Sequence, residues 1–294
     1  MAVVPSDIDL LAAPPKQRGA VANYIRRNPT VVIGGGILGL MVLMAIFAPY
    51  LGTVDPLALS PAHRLRWPSA EYWFGSDMLG RDIYSRTIYG ARVSLTVGIS
   101  VALFSTGLGL VIGLVTGFNR WVDAIVMRIM DGLMSIPAVL IAIALMALTR
   151  ASLQNVIFAV TVAEVPRVTR LVRSVVLTLR EQPFVEAALA SGTTQLRTMW
   201  RHIVPNTMAT LLVQGTYIAA SAMITEAILS FIGAGTPPTV PSWGNIMAEG
   251  RAVFLVAYYI VLFPGIFLSL TVLGINLLGD GLRDAIDPRL ARRL

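Results

Sequence analysis

Six apolar segments dominate the chain, at residues 30–51, 93–118, 127–149, 153–172, 207–232 and 253–278. Each has about the length that carries a helix across a hydrocarbon core, which takes roughly 20 residues. In lipid, every backbone N–H and C=O must find its partner inside the protein, so such segments are expected to be helices. The fold class that follows is an all-α polytopic membrane protein with about six transmembrane helices. Charge agrees: Asp, Glu, Lys and Arg make up 13% of the chain, against about 25% in ordinary soluble domains. The first apolar run starts only after about thirty residues and no small-residue cleavage site follows it, so the N-terminal stretch does not read as a cleavable signal peptide.

Several kinds of chemistry are excluded by what the chain lacks. There is no cysteine, hence no disulfide, thiolate metal site or cysteine nucleophile. The two histidines, His63 and His202, are far apart in sequence and give no basis for a zinc site. The single lysine, Lys16, sits in PPKQRG, so no phosphate-binding loop of the glycine–Lys–Ser/Thr kind exists. No catalytic, cofactor or metal residues are expected, and no cofactor. An intramembrane serine hydrolase would need a base near its nucleophile, yet neither histidine lies in an expected span. An ion-coupled carrier would often show repeated spans, and no convincing repeat links residues 31–149 to 153–278. The net charge of +7 is nearly all arginine and is better explained by membrane topology than by nucleic acid.

Basic residues set the expected orientation. With six spans, one face receives the tail with Lys16, Arg18, Arg26 and Arg27, the turn with Arg120, the loop from Arg167 to Arg201, and the end with Arg283, Arg289, Arg292 and Arg293. That face outweighs the other, so both termini are expected to be cytoplasmic. The segment 52–92 on the opposite side carries five basic residues but also Asp55, Glu71, Asp77 and Asp82, and it is long.

The loop 180–206 is polar, helix-forming and interrupted by a glycine. Pro183 suits a first helical turn, where its missing N–H is no loss, and Glu186 suits the positive end of the helix dipole. Ala187, Ala188, Leu189 and Ala190 favour helix, and Gly192 ends it. Thr193 or Thr194 can cap a second helix with Leu196, Met199, Trp200 and Ile203 along one face, which Pro205 is expected to end. By periodicity alone this could be an amphipathic loop on the headgroups. Its position between the fourth and fifth spans, and its form E-A-A, three residues, Gly, then I-V-P, instead resemble the cytoplasmic coupling loop of bacterial ABC importer permeases.

Other segments are similar to one branch of that family. They are FGSDMLGRD (74–82) with IYGARVSL (88–95), MRIMD (127–131) before SIP (135–137), TEAILSFIG (225–233) with PSWG (241–244), and GDGLRDAIDP (279–288). Together they resemble the dipeptide/oligopeptide (peptide/nickel) transporter family, C-type permease subunit, from about residue 30 to 289. The resemblance implies a type I importer permease fold with a tail at 1–29, a first helix and periplasmic loop at 30–92, a permease core at 93–282 and a tail at 283–294. It implies a bacterial inner-membrane location and a heterodimer with a homologous permease subunit. Two cytoplasmic ABC ATPase subunits and a periplasmic or lipid-anchored solute-binding protein complete the set. ATP hydrolysis then falls to the ATPases, coupled through Glu186, Ala187, Ala188, Gly192, Ile203 and Pro205. Relatives handle dipeptides, longer peptides, glutathione, nickel complexes and some sugar or opine compounds.

One departure bears on substrate. The fourth span reads AEVPRVTR (163–170), where relatives usually carry Trp at the position of Val165 and an uncharged residue at that of Glu164. A carboxylate at this depth costs about 2.5–3.5 kcal/mol unless it faces a cavity or partner. Glu164 either pairs with Arg167 or contacts the solute. Glu226 either belongs to an outer gate or faces headgroups. Arg128 and Asp131, one turn apart, are expected to form a structural pair. Arg167, Arg170 and Arg173 share a face and anchor the inner end of the fourth span. Trp67, Tyr72, Trp73 and Phe74 either meet the binding protein or form an interfacial belt, and the prolines of 49–68 and 237–241 make both outer segments read as irregular loops.

Overall fold

The computed structural model describes residues 28–286. The basic tail with Lys16, Arg18, Arg26 and Arg27, and the end with Pro288, Arg289, Arg292 and Arg293, lie outside the described residues. Within that range the chain is helix and loop, with one isolated bridge between Ser76 and Asp82. In chain order the helices are α1 (Pro29–Ile46), α2 (Ile83–Phe118), α3 (Arg120–Met134), α4 (Ala138–Leu148) and α5 (Leu153–Arg180). Then come α6 (Pro183–Ala190), α7 (Gln195–Thr198), α8 (Val204–Phe231), α9 (Trp243–Gly250) and α10 (Tyr259–Ile286).

Among the described residues four stretches are long and apolar enough to cross a membrane, Pro29–Ile46, Ile83–Phe118, Gln195–Phe231 and Tyr259–Asp284, and the bent pair α3–α4, counted as one span, makes a fifth. α5 falls short of that test because Glu164, Arg167, Arg170 and Arg173 dilute its apolar residues. Its Val156, Val160, Val168, Val172 and Val176 are nonetheless buried in the main core.

Three expected boundaries move for physical reasons. α2 starts ten residues before the expected span, because Asp82 caps it by accepting the Ser85 N–H at 2.8 Å and the charged residues that looked loop-like are internally paired. The expected third span is two helices bent by 91° at Ser135–Ile136–Pro137. Proline supplies no N–H and disfavours helical backbone at the preceding residue. The segment before α10, expected to be an irregular loop, contains the eight-residue helix α9, started by Ser242 accepting the Asn245 N–H at 3.1 Å.

The core is closed by α2 lying against α5. A β-carbon on Gly109, Gly113 or Gly117 would fall 2.5–2.6 Å from side-chain atoms of Val168, Val172 and Val176 respectively. These are i, i+4 ladders on both helices, and the missing side chains let the backbones meet. α3 is tied to α5 by two ion pairs, Asp123 with Arg173 and Asp131 with Arg170, whose order along the two helices is antiparallel.

At the end of the bundle away from the 180–206 loop, a buried ion cluster ties the 52–82 segment to α9. Asp77 accepts from Arg81 Nε and Arg86 Nη1, both at 2.6 Å, and from the N–H groups of Leu79 and Arg81. Glu249 accepts from Arg86 at 2.6 and 3.2 Å and from Arg81. Of the aromatic residues of this segment, Phe74 stacks on Phe263 with ring centres 4.0 Å apart and Trp67 meets Tyr258 and Tyr259, while Trp67 and Trp73 stay more than half exposed.

Candidate coupling surface and transport path

The 180–206 loop folds as helix, glycine turn, helix. α6 begins on Pro183 and ends at Ser191, after which Gly192 takes φ +83. The Thr193 N–H donates to the Ala188 carbonyl at 3.1 Å and the Gly192 N–H to that of Leu189 at 3.0 Å. This paired closure demands a left-handed residue at Gly192. Thr194 occupies the cap position of α7, but its hydroxyl makes no capping bond. A π-helical turn, Met199–Ile203, then runs directly into α8. Pro205 thus lies in the first turn of α8, directly after the π turn, and does not end the preceding helix as expected.

The loop is pinned at a few points. Val185, Thr198 and Ile203 are buried, and the Phe184 and His202 rings lie 6.3 Å apart, tying α6 to the π turn. Glu186, Ala187, Gly192 and Pro205 are exposed, and Ala188 is half-buried. So the expected coupling residues divide: Ile203 is an internal anchor and the others form a surface. Around that surface Leu196 and Trp200 are 64% and 60% exposed, and Phe184 and Leu189 nearly half. Large apolar side chains beside small ones, on a rigid bend, are suited to a protein neighbour.

Each arginine on the α5 face meets its own carboxylate. Arg173 holds Asp123 through two nitrogens, Arg170 holds Asp131, and Arg167 lies 3.6 Å from Glu164. The expected Arg128–Asp131 pair is therefore corrected. Asp131 faces α5 and is taken by Arg170, while Arg128 lies exposed and makes no ion pair among the described residues.

Glu164 is buried, with Ser221 of α8 donating to it at 3.5 Å. Glu226 is fully enclosed, which removes the headgroup alternative. Ser230 Oγ donates to it at 2.8 Å, the Thr236 and Ser242 hydroxyls lie beyond, and its Oε2 has no hydrogen-bond partner. Asn245 Nδ2 bonds Thr236 Oγ1 at 2.8 Å and the Pro237 and Val240 carbonyls at 2.9 and 3.0 Å. Glu226 therefore sits at the join between α8 and the α9 segment. The π turn and the Asp77–Arg81–Arg86–Glu249 cluster escaped sequence reading, since no local pattern links residues 77 and 249.

Residues 106–292 match the family described as binding-protein-dependent transport system inner membrane component, and residues 19–68 match the N-terminal TM domain of oligopeptide transport permease C. The chain belongs to the peptide ABC transporter permease family. Among its relatives, a probable peptide ABC transporter permease protein of Sinorhizobium fredii is 51% identical over 281 residues, covering 96% of each chain. A dipeptide transport system permease protein of Alkalihalophilus pseudofirmus is 41% identical, covering 90% of this chain and 88% of that one. An oligopeptide transport system permease protein of Bacillus subtilis is 38% identical, with 91% and 88% covered. The permease also superimposes on an inward-facing structure of the MetNI methionine ABC transporter with TM-score 0.55 and 21% identity, covering 70% of this chain and 98% of that one. That likeness fixes the fold as the type I importer permease kind.

Proposed function

We propose that this permease forms, with a homologous subunit, the path by which a bacterial inner membrane takes up di- or oligopeptides or related small solutes. Separate ATPase subunits drive it from the cytoplasm, and a binding protein delivers the solute at the other face. The observation that carries this reading is the helix–glycine–helix surface at Glu186–Gly192 and Leu196–Trp200, rigid and apolar on a face the bundle leaves open. ATP can bias a transport cycle only if the ATPase state it favours is transmitted through a stiff contact. A surface locked by the Gly192 turn and seated on Val185 and Ile203 meets that requirement. Glu164 lines or borders the path, and Glu226 holds the α8–α9 join that serves as its outer gate.

Reconstitution tests it. The chain alone in liposomes neither hydrolyses ATP nor takes up solute. The assembly with its homologous partner, ATPases and binding protein does both. Uptake by this chain alone, driven by an ion gradient, contradicts the reading.

A further inference from the structure

A polar side chain on a membrane helix faces water or protein far more often than lipid. α8 carries Thr210, Gln214, Tyr217 and Ser221 at steps of four, three and four residues, so they share one face. None of the four is buried, and Tyr217 is half-exposed. They lie inside an apolar stretch long enough to span. Across from them, Arg167 of α5 is 45% exposed on its side chain, although it sits roughly 21 Å along that helix from its start. Its guanidinium lies 5.7 Å from the Tyr217 ring centre and 3.6 Å from Glu164 Oε2. Ser221 reaches the other Glu164 oxygen. The four residues Glu164, Arg167, Tyr217 and Ser221 are thus one cluster shared by two helices.

The cluster has a direction. Its acceptor, Glu164, is buried behind the others. The groups on its open side are donors: the remaining guanidinium N–H groups of Arg167 and the Tyr217 hydroxyl. Gln214, one turn away, turns its Nε2 into the protein, where it is buried and has no hydrogen-bond partner, so it is not one of these donors. Glu164, 3.6 Å from Arg167 and not hydrogen-bonded to it, supplies its counter-charge and so acts as a positioning residue. A half-open arginine at membrane depth, beside a neutral donor, wants an acceptor with two oxygens, and a planar carboxylate fits its fork.

We propose that Arg167, with Tyr217, forms a station in the translocation path that holds a carboxylate of the passing solute, as at the C-terminus of a peptide. The proposal rests on the transport reading above. Labelling of the assembled complex at rest, without ATP, tests it separately from ATP-driven uptake. The chain has no cysteine, so Ser221→Cys and, as a lipid-side control, Leu103→Cys on the 65% exposed face of α2 give single thiols. Each is treated with anionic sulfonatoethyl and cationic trimethylammonioethyl methanethiosulfonate, and modification is read on this chain by mass.

Ser221→Cys should react at least about tenfold faster than Leu103→Cys and prefer the anionic reagent, since a charged cleft concentrates its counter-ion. Adding Arg167→Gln should cut the anionic rate about tenfold while leaving the cationic rate undiminished or raising it. Equal, slow modification of both thiols would put the stripe against lipid or a neighbouring helix and overturn the path. Fast modification that is blind to charge and to Arg167→Gln would overturn the carboxylate role. ATP-driven uptake of solute can fail without altering either rate, and the reverse holds too.

Discussion

Gly113 of α2 and Val172 of α5 lie so close that a β-carbon on the glycine would fall 2.6 Å from that of the valine. With Gly109 and Gly117 one turn to either side, this contact sets how near the two helices approach. Gly113→Ala is therefore expected to destabilise the fold by about 1–3 kcal/mol through overpacking. Gly107→Ala, on the same helix with open space at its β-carbon, should be neutral or stabilise by about 0.5–1 kcal/mol. Thermal unfolding of the detergent-solubilised permease, followed by size-exclusion fluorescence, separates the two.

The ion cluster joining residues 77–86 to α9 should be sensitive to loss of any one member. Arg86 is fully buried and Asp77 nearly so. Arg86→Gln leaves Asp77 short of a cation and should cost about 3–5 kcal/mol. Arg86→Gln combined with Asp77→Asn should cost less than the sum of the two single changes, a coupling that a double-mutant cycle on the same melting assay reads directly.

The paired arginines of α5 should behave differently. Arg170 and Asp131 are both about half-exposed, so Asp131→Asn should shift stability by no more than about 1 kcal/mol. Arg128→Gln, with no ion pair to lose, should shift it less still. A larger loss from Arg128→Gln than from Asp131→Asn in the melting assay would restore the local pairing that the structure rejects.

Gly192 offers a conformational test of the coupling loop. Its φ of +83 is one that β-branched residues avoid, yet the space around it is open. Gly192→Val should therefore leave folding of the bundle intact while distorting the turn between α6 and α7. Gly192→Asn, which tolerates left-handed backbone, should retain the turn. Measured as solute taken up per ATP hydrolysed in the reconstituted assembly, coupling should fall several-fold for the valine variant and stay near normal for the asparagine variant.

Much of this was legible from local pattern. Pro183, the alanine run and Gly192 specify a helix and its left-handed stop through interactions within ten residues. The apolar runs give the spans in the same local way. What stayed hidden depends on residues far apart. Arg86 and Arg92 look like loop residues until Asp77 and Glu249 are seen around Arg86, so the start of α2 was set too late. Arg128 and Asp131 are spaced as a helical pair, but Asp131 is taken by Arg170 of α5, and only the packing of α3 against α5 decides that choice. The bend at Ser135–Ile136–Pro137 carried its proline in plain view. The mostly apolar composition across 127–149, with Arg128 and Asp131 near its start, reads as one span all the same.

Cross-linking from the coupling surface tests the proposed role most directly. With no native cysteine in the chain, Ala187→Cys places one thiol on the exposed face of α6. In the assembled transporter, a short thiol-to-amine cross-linker at that position should capture an ATPase subunit, and the yield should change between nucleotide-free and ATP-bound states. A thiol that remains freely reactive to water-soluble reagents in the full assembly, and captures no ATPase in either state, would contradict the coupling role.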